Sequence, residues 1–122
     1  MNEQQIRGLH ILRLYFLRHG KAKSAADLAD IDRPLAERGH QDAVQMGGKL
    51  VNWGATPSLV LCSAAQGARE TLAGVVPSLN GNTRIEIEEA LYTFDPNEIV
   101  QRIIQIPDTD TDVLLIGHNP AP

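Results

Sequence analysis

Residues 11–20 read ILRLYFLRHG, and residues 113–120 read VLLIGHNP. Each is an apolar, β-rich run that breaks off into glycine and histidine: Arg18-His19-Gly20 in the first, Gly117-His118-Asn119 in the second. Short apolar runs bounded by polar residues read as buried strands. The first, over 11–17 with Arg13 as its one interruption, fits an interior strand, and the second covers 113–116. A strand that ends in a cation and an imidazole carries those groups to one end of a sheet.

What lies between the two runs sets the fold class. Residues 18–33 are polar and without period, so they form a loop. From 35 to 53 the positions Ala43, Val44, Gly47, Leu50 and Val51 keep helical spacing. That helix begins after Pro34 and is ended by Gly54 and Pro57. Residues 59–62 make a short strand. Ser63 is placed to cap a second helix whose inward positions are Ala68, Leu72, Val75 and Val76. A turn over 78–82 leads to a weak strand at 85–87. Asp95-Pro96-Asn97-Glu98 then combines an N-cap acid, a proline at the first helical position and an acid at N3. Ile99, Ile103 and Ile104 continue that helix's buried face, and the DTDTD turn at 108–112 precedes the last strand.

Strands alternating with helices predict an α/β fold, three layers deep, with a mostly parallel central sheet. Residues 1–122 are expected to form one domain. No helix follows the last strand, so the domain is expected to be C-terminally truncated, lacking a covering helix and further sheet.

Composition narrows the function. Eleven Lys and Arg against fifteen Asp and Glu give a net charge of −4, which argues against nucleic acid or an anionic membrane as partner. Any anionic ligand must be held by local cations. The single cysteine, Cys62, cannot close an intrachain disulfide, which fits a reducing compartment. MNEQQIRGLH has no apolar signal-peptide core, and no run approaches the roughly 18 apolar residues of a membrane span. The expectation is a soluble cytoplasmic domain.

In open α/β sheets ligands bind beyond the carboxyl ends of the strands. Arg18-His19-Gly20, Cys62-Ser63 and Gly117-His118-Asn119 all fall there. A lone histidine at a strand end is ordinarily structural. Two at equivalent places, each beside a glycine, point to a site. Glycine permits close backbone approach to a ligand, and arginine offers a planar fork of donors to phosphate oxygens. A neutral imidazole can attack phosphorus, and a second can hydrogen-bond the group being transferred. The chemistry indicated is phosphoryl transfer through a phosphohistidine. No metal-spaced ligand set stands in the sequence.

LRHGKAK, DIDRPLAERGHQDA, CSAAQGARETL, LYTFDPNEIV and VLLIGHNP, in that order, resemble the histidine phosphatase superfamily, and most closely its SixA-type phosphohistidine phosphatases. The resemblance runs from Leu12 to Pro120 and implies a phosphoglycerate mutase-like fold. It makes His19 the phosphorylated nucleophile and His118 the catalytic partner from the opposite strand. Arg18, with Gly20 and Asn119, would bind phosphate, and no cofactor or metal is implied. Many members use an acid from the region after the third strand, for which Glu89 is the candidate acid. The competing reading is a solvated acidic cluster of Glu86, Glu88 and Glu89. Lys21 and Lys23 read as ordinary loop lysines, and Asp32-Arg33 as a structural pin of the loop against the first helix. His10 and His40 match no motif and read as surface residues.

Two departures stand out. The family pattern after the second strand is serine, three residues, arginine, then Ala-x-x-Thr; Ser63, Ala68 and Thr71 fit, but the arginine's place holds Gly67. Arg69, two residues on, would point about 200° away on a regular helix. Gly67 should also weaken the helix by roughly 1 kcal/mol relative to alanine. Ala36 stands where a capping Thr or Ser is usual, with an expected loss of roughly 1 kcal/mol. The sequence thus implies a phosphohistidine phosphatase with weakened activity. Its expected partner is a phosphorylated protein such as a histidine phosphotransfer domain, because the short loops leave little room for the insertions of sugar-phosphate enzymes. The alternatives are a phosphatase of a small phosphorylated metabolite and a non-catalytic phosphate-binding module.

Overall fold

The computed structural model describes residues 12–18, 29–79, 81–93 and 95–117. The apolar runs become four strands: β1 (Arg13–Arg18), β2 (Leu59–Ser63), β3 (Arg84–Glu88) and β4 (Asp112–Gly117). The helical stripes become α1 (Glu37–Asn52), α2 (Gln66–Val75) and α3 (Pro96–Ile104). Short 3-10 turns at Asp30–Asp32, Val76–Ser78 and Glu89–Leu91 join them. The strands pair in the order β1-β4-β2-β3, and every pairing among the described residues is parallel. This is the expected α/β architecture.

Strand alternation divides the core in two. Val60 and Cys62 of β2 and Leu114 and Ile116 of β4 face α1 and α2, where they pack with Leu50, Ala68, Leu72 and Val75. Leu59, Leu61, Val113 and Leu115 face the other way, packing with Leu91, Ile99, Ile103 and Ile106. A parallel sheet covered on both faces requires such continuous apolar strands, and β2 and β4 are buried throughout.

Among the described residues β1 stands at one end of the sheet and pairs with β4 alone. The helix faces are narrower than the sequence suggested. In α1, Gly39, Ala43, Gly47 and Leu50 are buried while Val44 and Val51 are exposed. Val76 has left α2 for the 3-10 turn, and Ile104 sits on α3's outer side, 68% exposed. Each lies just off the centre of its stripe, where a short helix on a small sheet finds nothing to cover it.

Helices α1 and α2 approach closely. A Cβ on Gly74 would lie 2.7 Å from the Cβ of Ala43, so no side chain fits between them. At the α1 start, Ala36 occupies the N-cap with extended backbone and no side-chain hydrogen bond, as expected from its lack of a hydroxyl. At the α3 start, the Asp95 carboxylate accepts the Asn97 N–H at 2.9 Å.

The amino end of the sheet is closed by two buried carboxylates from the DTDTD turn. Asp110 accepts from the Ser58 hydroxyl at 2.6 Å and from both terminal nitrogens of Arg84 at 3.1 and 2.8 Å. Asp112 accepts from the Thr56 N–H at 2.6 Å and its hydroxyl at 3.1 Å, with Arg13 at 3.7 Å. These bonds tie the starts of all four strands together. Among the described residues no helix is long and apolar enough to cross a membrane.

Candidate active site

Parallel strands bring their carboxyl ends to one side, and register decides which residues meet there. Arg18, the last residue of β1, pairs with Gly117, the last of β4. In β2, Cys62 pairs with Ile116, and Ser63 beside it pairs with Glu88 at the end of β3. The crevice end of the sheet therefore reads Arg18, Gly117, Ser63, Glu88 across the four strands. Arg18 is exposed. Gly117 is confined by its neighbour: a Cβ there would lie 3.0 Å from the tip of the Phe16 ring. His19 and Gly20 follow Arg18 directly in sequence, and His118 and Asn119 follow Gly117; all four lie outside the described residues. So do His10, Lys21 and Lys23.

Ser63 does not cap α2 as expected. The N-cap is Ala65, because β2 runs on through Ser63 and the helix starts only at Gln66. The Ser63 hydroxyl instead accepts the Ala65 N–H at 3.2 Å, bracing the strand-to-helix turn. Gly67 is the second helical residue and is buried. Its carbonyl accepts the Thr71 hydroxyl at 2.8 Å. A glycine in the first turn does not carry the full penalty of a helix interior, so the expected destabilisation is smaller than 1 kcal/mol. Its consequence is chemical: a buried position at the crevice end has no side chain to offer.

Arg69 does not fill the gap. It is exposed and its Nη2 donates to the Gln66 Oε1 at 2.6 Å. Gln66 in turn donates to Glu70 at 2.5 Å, and the other Glu70 oxygen accepts the Leu35 N–H at 2.8 Å. That last bond fastens the Asp32-to-Leu35 stretch to α2, and the 3-10 turn at Asp30–Asp32 also packs there. The bond is made by Leu35, beside the Asp32-Arg33 pair. His40 is exposed on α1, with its Nε2 3.3 Å from Glu70.

A cleft of about 260 Å³ opens beside Arg18. Its walls include Leu17, Arg18, Thr71 and the α1 residues Asp42, Gln45 and Lys49. Sequence reasoning passed over these three polar residues because α1 was read only for its apolar stripe. Their spacing of three and four residues, next to that stripe, is the signal that could have found them. The nearby Cys62 thiol offers no competing nucleophile. Burial pushes it up to about 12, against a smaller downward pull from Arg69, so the thiolate is not formed at neutral pH.

The acidic residues after β3 do not behave as one solvated cluster. Arg102 of α3 grips Glu88 with two bonds, Nε to Oε1 at 2.7 Å and Nη2 to Oε2 at 2.8 Å. It also reaches Glu86 at 3.2 Å. The guanidinium's hydrogen bonds hold the Glu88 carboxyl below its usual range, against a smaller upward push from burial. Glu88 is thereby unsuited to donate a proton. Glu89, next in the chain, opens the 3-10 turn Glu89–Leu91 and is exposed.

The sequence profile of the histidine phosphatase superfamily (branch 1) matches residues 14–118. An uncharacterized protein of Mycobacterium tuberculosis is 36% identical over 105 residues, covering 86% of this chain and 64% of its own length. A structure bearing the name phosphohistidine phosphatase SixA, from Agrobacterium tumefaciens, is 30% identical with a TM-score of 0.79. The protein histidine phosphatase SixA in complex with tungstate is 27% identical with a TM-score of 0.76. Each aligns with 88% of this chain and with 69% of the solved chain.

Proposed function

The chain belongs to the histidine phosphatase superfamily, and on that footing we propose that it removes phosphate from a phosphorylated histidine of a partner protein. The observation that carries this reading is the register pairing of Arg18 with Gly117, each followed directly in sequence by a histidine. Neighbouring strands lie about 4.8 Å apart, which supports a joint role for the two histidines. Similarity to SixA-named structures at 27 and 30% identity supports a protein substrate over a metabolite.

In the proposed reaction, a His19 ring nitrogen attacks phosphorus as the substrate's P–N bond breaks. The departing imidazole takes up a proton, either from solvent or from Glu89. Water then attacks the phosphohistidine, releasing orthophosphate and restoring His19. Arg18, with Gly20 and Asn119, holds the equatorial oxygens of the phosphoryl group, and His118 hydrogen-bonds the same group. Stabilising charge on the equatorial oxygens supplies most of the catalysis in such transfers.

A second reading is favoured by one observation. Gly67 is buried where the sequence pattern calls for a clamping arginine, and Arg69 is turned away. A site with one clamp would bind phosphate and turn over slowly or not at all. Incubation with a protein carrying radiolabelled phosphohistidine, beside a panel of sugar phosphates, separates these readings. Transient label on wild-type protein, absent from His19→Ala, with release of orthophosphate is the expected result. Label from sugar phosphates alone would move the assignment to metabolites. Phosphate binding without any label would leave the binding module.

A further inference from the structure

The first turn of α2 has no cation of its own to offer the crevice. Gly67 has no side chain there, Arg69 is tied to Gln66, and Arg102 across the sheet is tied to Glu88. Arg33 comes to the same turn by another route, over the surface of the helix.

Glu70 is the residue that sets this route. It follows Gly67 by one helical turn, about 4.5 Å along the axis. Its part-buried carboxylate gathers contacts from three elements. Gln66 of α2 donates to Oε2 at 2.5 Å. Oε1 accepts the Leu35 N–H at 2.8 Å and lies 3.3 Å from the His40 Nε2 of α1. A hydrogen bond to main chain fixes where the Asp32-to-Leu35 stretch runs, whatever its side chains do. The Asp30–Asp32 turn packs on α2 as well, and Ile31 joins the cluster that holds Ala65 and Ala68. Arg33 stands two residues before Leu35, a separation of at most about 7 Å. Pro34 between them favours extended backbone at Arg33. Arg33 is half-buried, and its Nε is closed to solvent.

We propose that Arg33 is a second phosphate-binding residue of the crevice, and that Glu70 is the positioning residue that holds it beside Gly67. A guanidinium has donors enough to stay anchored to the protein and still present a pair to an oxyanion. Glycine at 67 adds no side chain to compete for that place. Carried on a segment rather than on the helix itself, Arg33 binds the oxyanion without the fixed aim that transition-state stabilisation requires. The donor absent at Gly67 is therefore not replaced. The proposal rests on the phosphatase reading only in taking a phosphoryl oxyanion as the crevice's ligand.

Tungstate, titrated calorimetrically into the full chain, is the probe. Arg33→Ala should weaken its binding about tenfold or more. Arg33→Lys should weaken it less, because an ammonium keeps the charge and loses the fork. Glu70→Ala should weaken binding only where Arg33 is present, so Arg33→Ala and the double variant should bind alike. Glu70→Gln keeps an oxygen for the Leu35 N–H and should recover most of the loss. Should Arg33→Ala not fold, Arg33→Gln takes its place in the same comparison. Unchanged affinity in the folded Arg33 variant overturns the proposal. So does a loss from Glu70→Ala that is equally large when Arg33 is absent, which would make Glu70 a general support of the fold. A wild-type chain that binds no tungstate would overturn the phosphate crevice itself, whereas wild-type binding insensitive to Arg33 overturns this assignment alone.

Discussion

The two ends of the sheet are built to opposite rules. At the amino end, Asp110 and Asp112 are buried and receive hydrogen bonds from Ser58, Thr56 and Arg84. Those bonds link neighbouring strands, although the Asp112 Oδ1 is buried without a hydrogen-bond partner among the described residues. At the carboxyl end, Arg18 is exposed, Gly117 has no side chain and Gly67 leaves a buried position without a polar group. The amino end spends its polar groups on joining strands, while the carboxyl end presents an exposed cation and, at Gly67, a buried position with no side chain.

The sharpest way to test that contrast is to supply the missing group. Gly67→Arg should raise phosphohistidine turnover about 10²–10³-fold if a transition-state donor is all that is lacking. Turnover is measured as orthophosphate released from a phosphohistidine protein, with Gly67→Lys as a control for charge without the bidentate fork. An unchanged rate in a folded Gly67→Arg variant would mean that the carboxyl end lacks more than one clamp. In the same assay Arg18→Ala should abolish binding of orthophosphate and tungstate, since it removes the cation at the end of β1.

The converse experiment is made at the amino end. Asp110→Ala removes the acceptor for Ser58 and Arg84, and should destabilise the fold by about 1–3 kcal/mol. Arg84 is half exposed and returns to water, so the cost stays below that of a fully buried pair left broken. Urea unfolding measures the loss, while tungstate affinity of the folded protein should not change. A drop in tungstate affinity would show that the two ends are coupled through the sheet.

This division was only partly legible in the sequence. The strands could be read because the apolar runs 11–17 and 113–116 break off abruptly into polar residues, and burial accounts for apolar runs of that length. The layer order followed from alternation. What sequence did not reveal were relations between segments far apart in the chain. The DTDTD stretch looked like an ordinary turn, although Asp110 meets Ser58 and Arg84 across the sheet. Glu88 looked solvated until Arg102 was found beside it. Of the site itself, Arg18 and Gly67 stand at the carboxyl end as their motifs implied, and Glu89 follows β3. His19, Gly20, His118 and Asn119 fall outside the described residues.

A smaller effect concerns the entrance to α1. Ala36 has the extended backbone of an N-cap but no oxygen to accept an N–H. Ala36→Ser should therefore add about 1 kcal/mol of stability, read as a higher urea midpoint with an unchanged slope. The gain should be neutral for turnover, because the new hydroxyl acts on the first N–H groups of α1. A change in rate would show that the α1 start, and with it the Asp42–Lys49 wall of the cleft, is mobile enough to affect the site.

The least effect, and the one that most refines the comparison, belongs to the single firmly partnered acid at the carboxyl end. Hydrogen bonds from Arg102 lower the Glu88 pKa in the folded protein. A lowered folded pKa means that the unfolded chain binds the proton more readily, so the pair contributes stability above the unfolded value of about 4.3. That contribution falls away as pH drops from there through the folded pKa. Arg102→Gln should lower stability by a constant amount at pH 6–8, about 1 kcal/mol or less for a partly exposed pair. The wild-type and variant curves should then converge in acid, below the folded pKa of Glu88. Curves that stay parallel to low pH would mean that Arg102 acts by packing its stem over β3 and not by charge. In that case Glu88 would add nothing to stability through its charge, and hydrogen bonds such as Ala65 N–H to the Ser63 hydroxyl would be what holds the carboxyl end.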